Sequence, residues 1–253
     1  MSKYDQIGMG ERAPWGDFPS VIRNADLKTL SNEPEYQAAK GGNEIAAITL
    51  VKRILTDATV AAVRELIGAD KPRLVPVLAV EEAGHNKLPL AIAEILADRL
   101  GLDVELNITQ KEQVSRTGTK ADHRLAFTPT FQGKVQPGQK YFLIDDTLTM
   151  GGTIASLRGY IENRGGKVLG AAVMTAHPGA VDLAVKPAML AAIQKKHGIA
   201  MNAYWQETFG YGIDQLTQGE AGHLRASASV DALRDRIAAA RHAGIERLDA
   251  SGT

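Results

Sequence analysis

The sequence predicts an α/β fold built on parallel strands, and three observations predict it. Residues 141–144 form an apolar run, Tyr-Phe-Leu-Ile, which suits a strand buried on both faces of a parallel sheet. Between residues 73 and 175, strand-like runs alternate with glycine-bearing turns and helical periodicities, as β-α-β units do. The C-terminal remainder is mainly helical, and Asn43 opens a helical pattern before the first strand.

Composition sets the outer bounds. A chain of 253 residues can bury a proper core as one large domain or two small ones. Lys+Arg and Asp+Glu both total 29, so no electrostatic footprint for nucleic acid or an anionic membrane is visible. There is no cysteine, which removes disulfides, thiolate zinc sites and a cysteine nucleophile. The first residues carry no apolar signal core, and no run approaches the ~20 apolar residues of a membrane span. A cytoplasmic protein is the expectation.

In chain order, residues 1–40 read as mostly irregular, broken by Pro14, Pro19 and Pro34, with Trp15 and Phe18 pinning the arm to the core. Asn43 caps one helix running to residue 67, with Ile48, Val51, Leu55, Ala58, Ala62 and Leu66 at helical spacing, closed by Gly68. Residues 73–80 are a first core strand, followed by the polar turn 81–87 and a helix from Leu88 to Leu100. Pro89 opens that helix and Gly101 closes it. A second strand covers 104–108. No periodicity survives from 109 to 139, and a stretch that long without pattern is expected to be a functional lid or an unread element.

The motif strand leads into Asp145-Asp146, then Thr147-Leu148-Thr149-Met150-Gly151-Gly152-Thr153, and a helix through Ile154, Leu157 and Ile161. Glycines can turn backbone N–H groups around a phosphate, where a helix N-terminus adds positive potential. Adjacent aspartates can accept hydrogen bonds from a diol or hold a hydrated divalent cation. Gly165-Gly166 turns the chain into a strand over 167–175, which delivers Thr175 and His177 to the end of the sheet. His177 is read as either structural or ligand-facing. Thr217 and Glu220 have capping-box form, and Val230, Leu233, Ile237 and Ala240 line one face of a closing helix. Arg234, Arg236 and Arg241 read as its solvated face. The stretch 204–212 concentrates Tyr204, Trp205, Phe209 and Tyr211 in a chain only 5% aromatic.

The stretch 141–153 resembles the phosphoribosyl-pyrophosphate-binding motif of type I phosphoribosyltransferases, with Met150 where a hydroxyl residue is common. The resemblance is specific over the motif and agrees in order and spacing across 73–175. It implies a mostly parallel sheet flanked by helices, with helical N- and C-terminal additions: an arm and helix over 1–70, a core over 71–180 and a helical cap over 181–253, integrated as one domain. It implies transfer of 5-phosphoribose to a base nitrogen with release of pyrophosphate, and a pentosyl transferase of nucleotide metabolism. The partners implied are phosphoribosyl pyrophosphate and a nucleobase, with a homodimer and without nucleic acid or membrane.

By the same resemblance Asp145 and Asp146 hold the ribose hydroxyls and, through water, Mg2+. Thr149, Met150, Gly151, Gly152 and Thr153 hold the 5′-phosphate, and Gly84 and Lys87 the pyrophosphate. Lys111, Arg116, Lys120 and Arg124 belong to the lid, with Lys111 and Arg116 neutralising the leaving group. Thr175 and His177 face the base, and the aromatic cluster is either a hood over it or a satellite core. A non-catalytic phosphoribosyl-pyrophosphate-binding regulator is the alternative, and a synthetase of related fold remains a third reading.

Overall fold

The computed structural model describes residues 9–81, 84–111 and 121–250. From the N-terminus, the arm leads into β1 (Ile22–Ala25), a 3-10 turn (Leu30–Asn32), α1 (Tyr36–Lys40), α2 (Glu44–Ile54) and α3 (Asp57–Ile67). Then come β2 (Arg73–Pro76), the small hairpin β3 (Val80–Glu81) and β4 (Gly84–His85), and α4 (Leu88–Leu100). Next are β5 (Thr109–Gln110), α5 (Ala121–Ala126), β6 (Phe131–Gln132), β7 (Lys140–Leu148), α6 (Gly152–Glu162) and β8 (Lys167–Ala176). Four helices close the chain: α7 (Pro187–His197), α8 (Ala200–Phe209), α9 (Gln218–Ala226) and α10 (Val230–Ala250).

The architecture is α/β, with a parallel sheet of order β1-β8-β7-β2 between two helical layers. Leu74 also bridges Val104 in parallel on the outer side of β2. Side chains alternate across a strand, and β7 shows it. Tyr141 and Leu143 enter a core shared with α5, α6 and the C-terminal helices, while Phe142 and Ile144 enter one shared with α1–α4. Both faces of β7 are thus buried, which is why the motif strand reads as a continuous apolar run.

Several expectations about elements change. The helix expected over 43–67 is two helices. Leu55 is extended, and Thr56 caps α3 by accepting from the Thr59 N–H at 3.2 Å. The break has a tertiary cause, because Asn24 Oδ1 at the end of β1 accepts the Thr56 N–H at 2.9 Å and the Thr59 hydroxyl at 2.8 Å. The break also resets the helical phase, so α3 buries Thr59, Val60, Val63 and Ile67 while Ala58 is exposed. The arm is less irregular than expected, since β1 pairs with β8. The strand expected over 104–108 shrinks to the Val104 bridge.

Residues 109–139 contain real elements. β5 pairs with β6, and α5 packs against α10 with Leu125, Phe127 and Phe131 buried. These elements are too short to show a period, and their apolar partners lie far along the chain. Residues 112–120, the middle of the expected lid, lie outside the described residues.

The arm is fastened by two buried guanidinium groups. Arg158 on α6 donates to the carbonyls of Ala13 at 3.3 Å, Pro14 at 2.7 Å and Trp15 at 3.2 Å, and pairs with Glu162 at 2.7 Å. Trp15 is buried and its indole N–H donates to the Leu216 carbonyl at 2.8 Å, so it does pin the arm. A Cβ on Gly159 would lie 2.6 Å from Arg12 Cα, so glycine is what lets the arm lie directly on α6. Arg12 donates to Glu220 Oε1 at 2.8 Å and to the Gly152 carbonyl at 2.9 Å. Glu220 closes the capping box of α9: its Oε2 accepts the Thr217 N–H at 2.9 Å, and its own N–H donates to Thr217 Oγ1 at 3.0 Å.

Candidate functional site

The chain passes from β2 outward to Val104 and then returns to the opposite side of β2 to form β7. The strand order therefore reverses between β2 and β7. In an open parallel sheet, the carboxyl end of such a switch point is where a crevice forms. The motif lies there, at the end of β7, beside the turn before α4 and the last residue of α1.

The two aspartates do not project past the strand as expected. They lie inside β7, where Asp145 pairs with Val173 of β8. Asp146 is 7% exposed and belongs to the α1–α4 side, where its Oδ2 accepts from Lys40 Nζ at 3.3 Å and Asn86 Nδ2 at 3.0 Å. Asn86 is held in turn by the Leu88 N–H, which donates to its Oδ1 at 3.1 Å. Asp145 accepts the Asp146 N–H at 2.8 Å. Burial, then the negative charge of Asp146, push the Asp145 carboxyl well above its ordinary range, against the opposing pull of that N–H and of Lys40. Thr147 and Thr175 meet across β7 and β8 with their hydroxyls 3.1 Å apart.

Beyond Leu148 the loop turns tightly into α6. Gly151 has φ +80°, and a Cβ there would meet Leu183 Cδ2 at 2.4 Å, so both backbone and space call for glycine. The N-cap residue of α6, Gly151, supplies no side-chain cap to it. The loop is fixed from outside. Thr217 Oγ1 donates to the Met150 carbonyl at 2.6 Å, Arg12 holds the Gly152 carbonyl, and Arg124 donates to Thr149 Oγ1 at 2.8 Å. Thr149 is exposed and Thr153 is half-buried in the first turn.

The end of β7 and the loop beyond it thus carry Asp145, Asp146, Thr149, Met150, Gly151, Gly152 and Thr153, with Arg124 bonded to Thr149 and Thr175 to Thr147. Gly84 lies in β4 opposite Glu81, and Lys87 precedes α4 with its ammonium 4.0 Å from Glu44. Lys111 is exposed just past β5, while Arg116 and Lys120 lie outside the described residues. His177 is exposed, and its Nδ1 accepts the Gly179 N–H at 3.1 Å, a local capping role.

The aromatic stretch is a packing core. Trp205, Phe209 and Tyr211 are buried, and the Trp205 and Phe209 rings stack at 4.2 Å. Nor is the arginine face of α10 simply solvated. Arg234 lies over Tyr204, Arg241 lies over Phe209, and Arg236 donates to Asp122 at 3.2 Å. Sequence reasoning missed Lys40, Asn86 and Arg12, none of which belongs to a periodic pattern or a local motif.

Fold and crevice together define an open α/β protein with a built loop at its switch point. No family model matches the chain. Protein TraN of Escherichia coli is 68% identical over 253 residues, covering 100% of this chain and 56% of the relative. An uncharacterized protein of Haemophilus influenzae is 41% identical over 151 residues, 59% of this chain and 34% of that protein. The chain therefore spans between a third and rather over half the length of these relatives.

Among solved structures, the adenine phosphoribosyltransferase of Rhodothermus marinus is similar at 18% identity and TM-score 0.35, over 52% of this chain and 74% of that one. That of Saccharomyces cerevisiae is similar at 15% identity and TM-score 0.34, over 60% and 74%. Likenesses that distant carry no argument about function.

These findings correct the functional reading. The relative that matches the whole chain at high identity is Protein TraN, not a phosphoribosyltransferase, and it overturns the expected family, sugar transfer and pentosyl-transferase class. The partners inferred with them fall too: phosphoribosyl pyrophosphate, a nucleobase and a homodimer free of nucleic acid and membrane. The cytoplasmic location is withdrawn on the same finding. Among the described residues, no helix is long and apolar enough to cross a membrane. The motif misled because a strand, an acid pair and a glycine loop are features of a scaffold, and scaffolds are shared between functions.

Proposed function

We propose that this chain is a binding segment of a TraN-like protein, and that the loop 149–153 seats a phosphate group or comparable anion on the first turn of α6. The observation that carries this is the built, uncapped start of α6 at the switch point. Backbone N–H groups of a helix's first turn have no intrahelical acceptor, and the macrodipole favours an anion there. Gly151 gives the backbone its left-handed turn, and Arg124 brings a guanidinium to Thr149 on the same loop. On this reading the sheet is a phosphoribosyltransferase-like scaffold put to holding a ligand. The match to Protein TraN along the whole chain supports the assignment to a segment of such a protein.

Calorimetry with inorganic phosphate tests the site. Saturable binding is expected, weakened at least about tenfold in Gly151→Ala and in Arg124→Gln, each checked for folding by circular dichroism. No binding, or binding that neither variant disturbs, refutes it. The TraN-like role has its own test. This chain, exchanged for the matching segment of E. coli Protein TraN, should restore whatever a strain lacking that protein has lost. Failure of a stably produced exchange protein refutes that part.

A further inference from the structure

We infer that the acid pair of β7 is closed to Mg2+, because Lys40 already holds the place on Asp146 that a cation would take, and that the crevice receives its anion without a divalent metal. The ligand class rests on the binding role proposed above; the closure to Mg2+ stands on the local geometry.

Asp146 Oδ2 accepts from both the Lys40 ammonium at 3.3 Å and the Asn86 amide at 3.0 Å. The side chains of Lys40 and Asp146 are only 12% and 10% exposed, so the pair is not a loose surface contact. The framework around it is fixed. The Lys87 N–H donates to the Ala39 carbonyl at 3.1 Å, which ties the end of α1 to the turn bearing Asn86, and Leu88 N–H anchors the Asn86 side chain. Mg2+ requires near-octahedral oxygen ligands at 2.0–2.1 Å and gives up its water reluctantly. On Asp146 it would have to sit beside a held ammonium of the same sign.

The second carboxylate does not help. Asp145 Oδ1 already accepts the Asp146 N–H at 2.8 Å, and the Asp145 carboxyl lies within electrostatic reach of the same Lys40. Among the described residues no group of three or more His, Asp or Glu side chains could hold a metal. Lys40 offsets the charge of Asp146, while Arg124 and the start of α6 leave the loop side favourable to an anion. Lys40 is thus a positioning residue that sets the charge class of the ligand.

The test uses MgCl2 alone in calorimetry, on the wild type and on Lys40→Gln and Lys40→Arg. The wild type and Lys40→Arg should show no saturable binding at millimolar Mg2+, whereas Lys40→Gln should gain affinity by at least about tenfold. Phosphate binding by the wild type should be the same in Mg2+ as in EDTA, a readout that needs no variant. Saturable Mg2+ binding by the wild type, a folded Lys40→Gln as blind to Mg2+ as the wild type, or phosphate binding that depends on Mg2+ would each overturn the inference. Absence of phosphate binding in both conditions would instead refute the anion site proposed above, and the Mg2+ titration would still decide the closure of the acid pair.

Discussion

Replacing Arg12 with Met should be among the most damaging single changes in this protein, although Arg12 lies in an arm without regular structure. Its side chain is 1% exposed and meets Glu220, itself 2% exposed, at 2.8 Å. The second guanidinium nitrogen holds the Gly152 carbonyl in the first turn of α6. Burial alone would lower the Arg12 pKa, but Glu220 and then Tyr211 outweigh it, so the group is more firmly charged than a free arginine. Breaking a buried pair by removing one partner costs about 3–5 kcal/mol, because the remaining charge is left desolvated. In a chain of this length each kcal/mol shifts Tm by roughly 2–4 °C, so Arg12→Met should melt about 6–20 °C early. Glu220→Met should lose a similar amount. The double variant should fall short of the summed losses by about 0.5–3 kcal/mol, the usual coupling of contacting residues. Urea titrations of the four proteins, with unchanged m-values, measure this. A single Arg12→Met loss below about 1 kcal/mol, or a double variant equal to the sum, would refute the claim that this ion pair fastens the arm.

Two further outcomes follow from the same packing. Asp145 is raised above its ordinary value of 3.8, so between that value and the folded one the native protein keeps a proton that the unfolded chain has released. Stability is therefore lost as pH rises through that window. Asp145→Asn removes the penalty and should be more stable than the wild type at neutral pH, with the gain vanishing as pH falls to 3.8; a pH series of urea midpoints reads this, and a pH-independent difference contradicts it. Trp205→Ala should cost about 3–5 kcal/mol, as expected for a large residue that is wholly buried, while leaving phosphate affinity within about twofold. A large loss of affinity in a still-folded Trp205→Ala protein would return the aromatic cluster to the binding site.

The sequence by itself determined what depends on near neighbours. The apolar run of β7 had to be a strand buried on both faces, and Pro89 and Gly101 bracketed α4 at the residues where it begins and ends. The loop glycines announced a tight turn, which at Gly151 is left-handed, and Thr217 with Glu220 announced a capped helix. Each is a local signal, in which the residue that sends it also supplies the geometry or the hydrogen bond.

Tertiary structure decided the rest, where one residue's role depends on a partner far along the chain. Asn24 divides the helix expected over 43–67 from thirty-odd positions away, an effect that no helical period records. The pairing of β7 with β8 carries both aspartates into the strand, where Asp146 is buried against Lys40 and Asn86. Lys40 reaches Asp146 across 106 positions and Arg12 reaches Glu220 across 208. Whether an acid pair is open to a cation or already compensated, and whether an arginine is solvated or buried, depends on the desolvation and field created by those distant contacts.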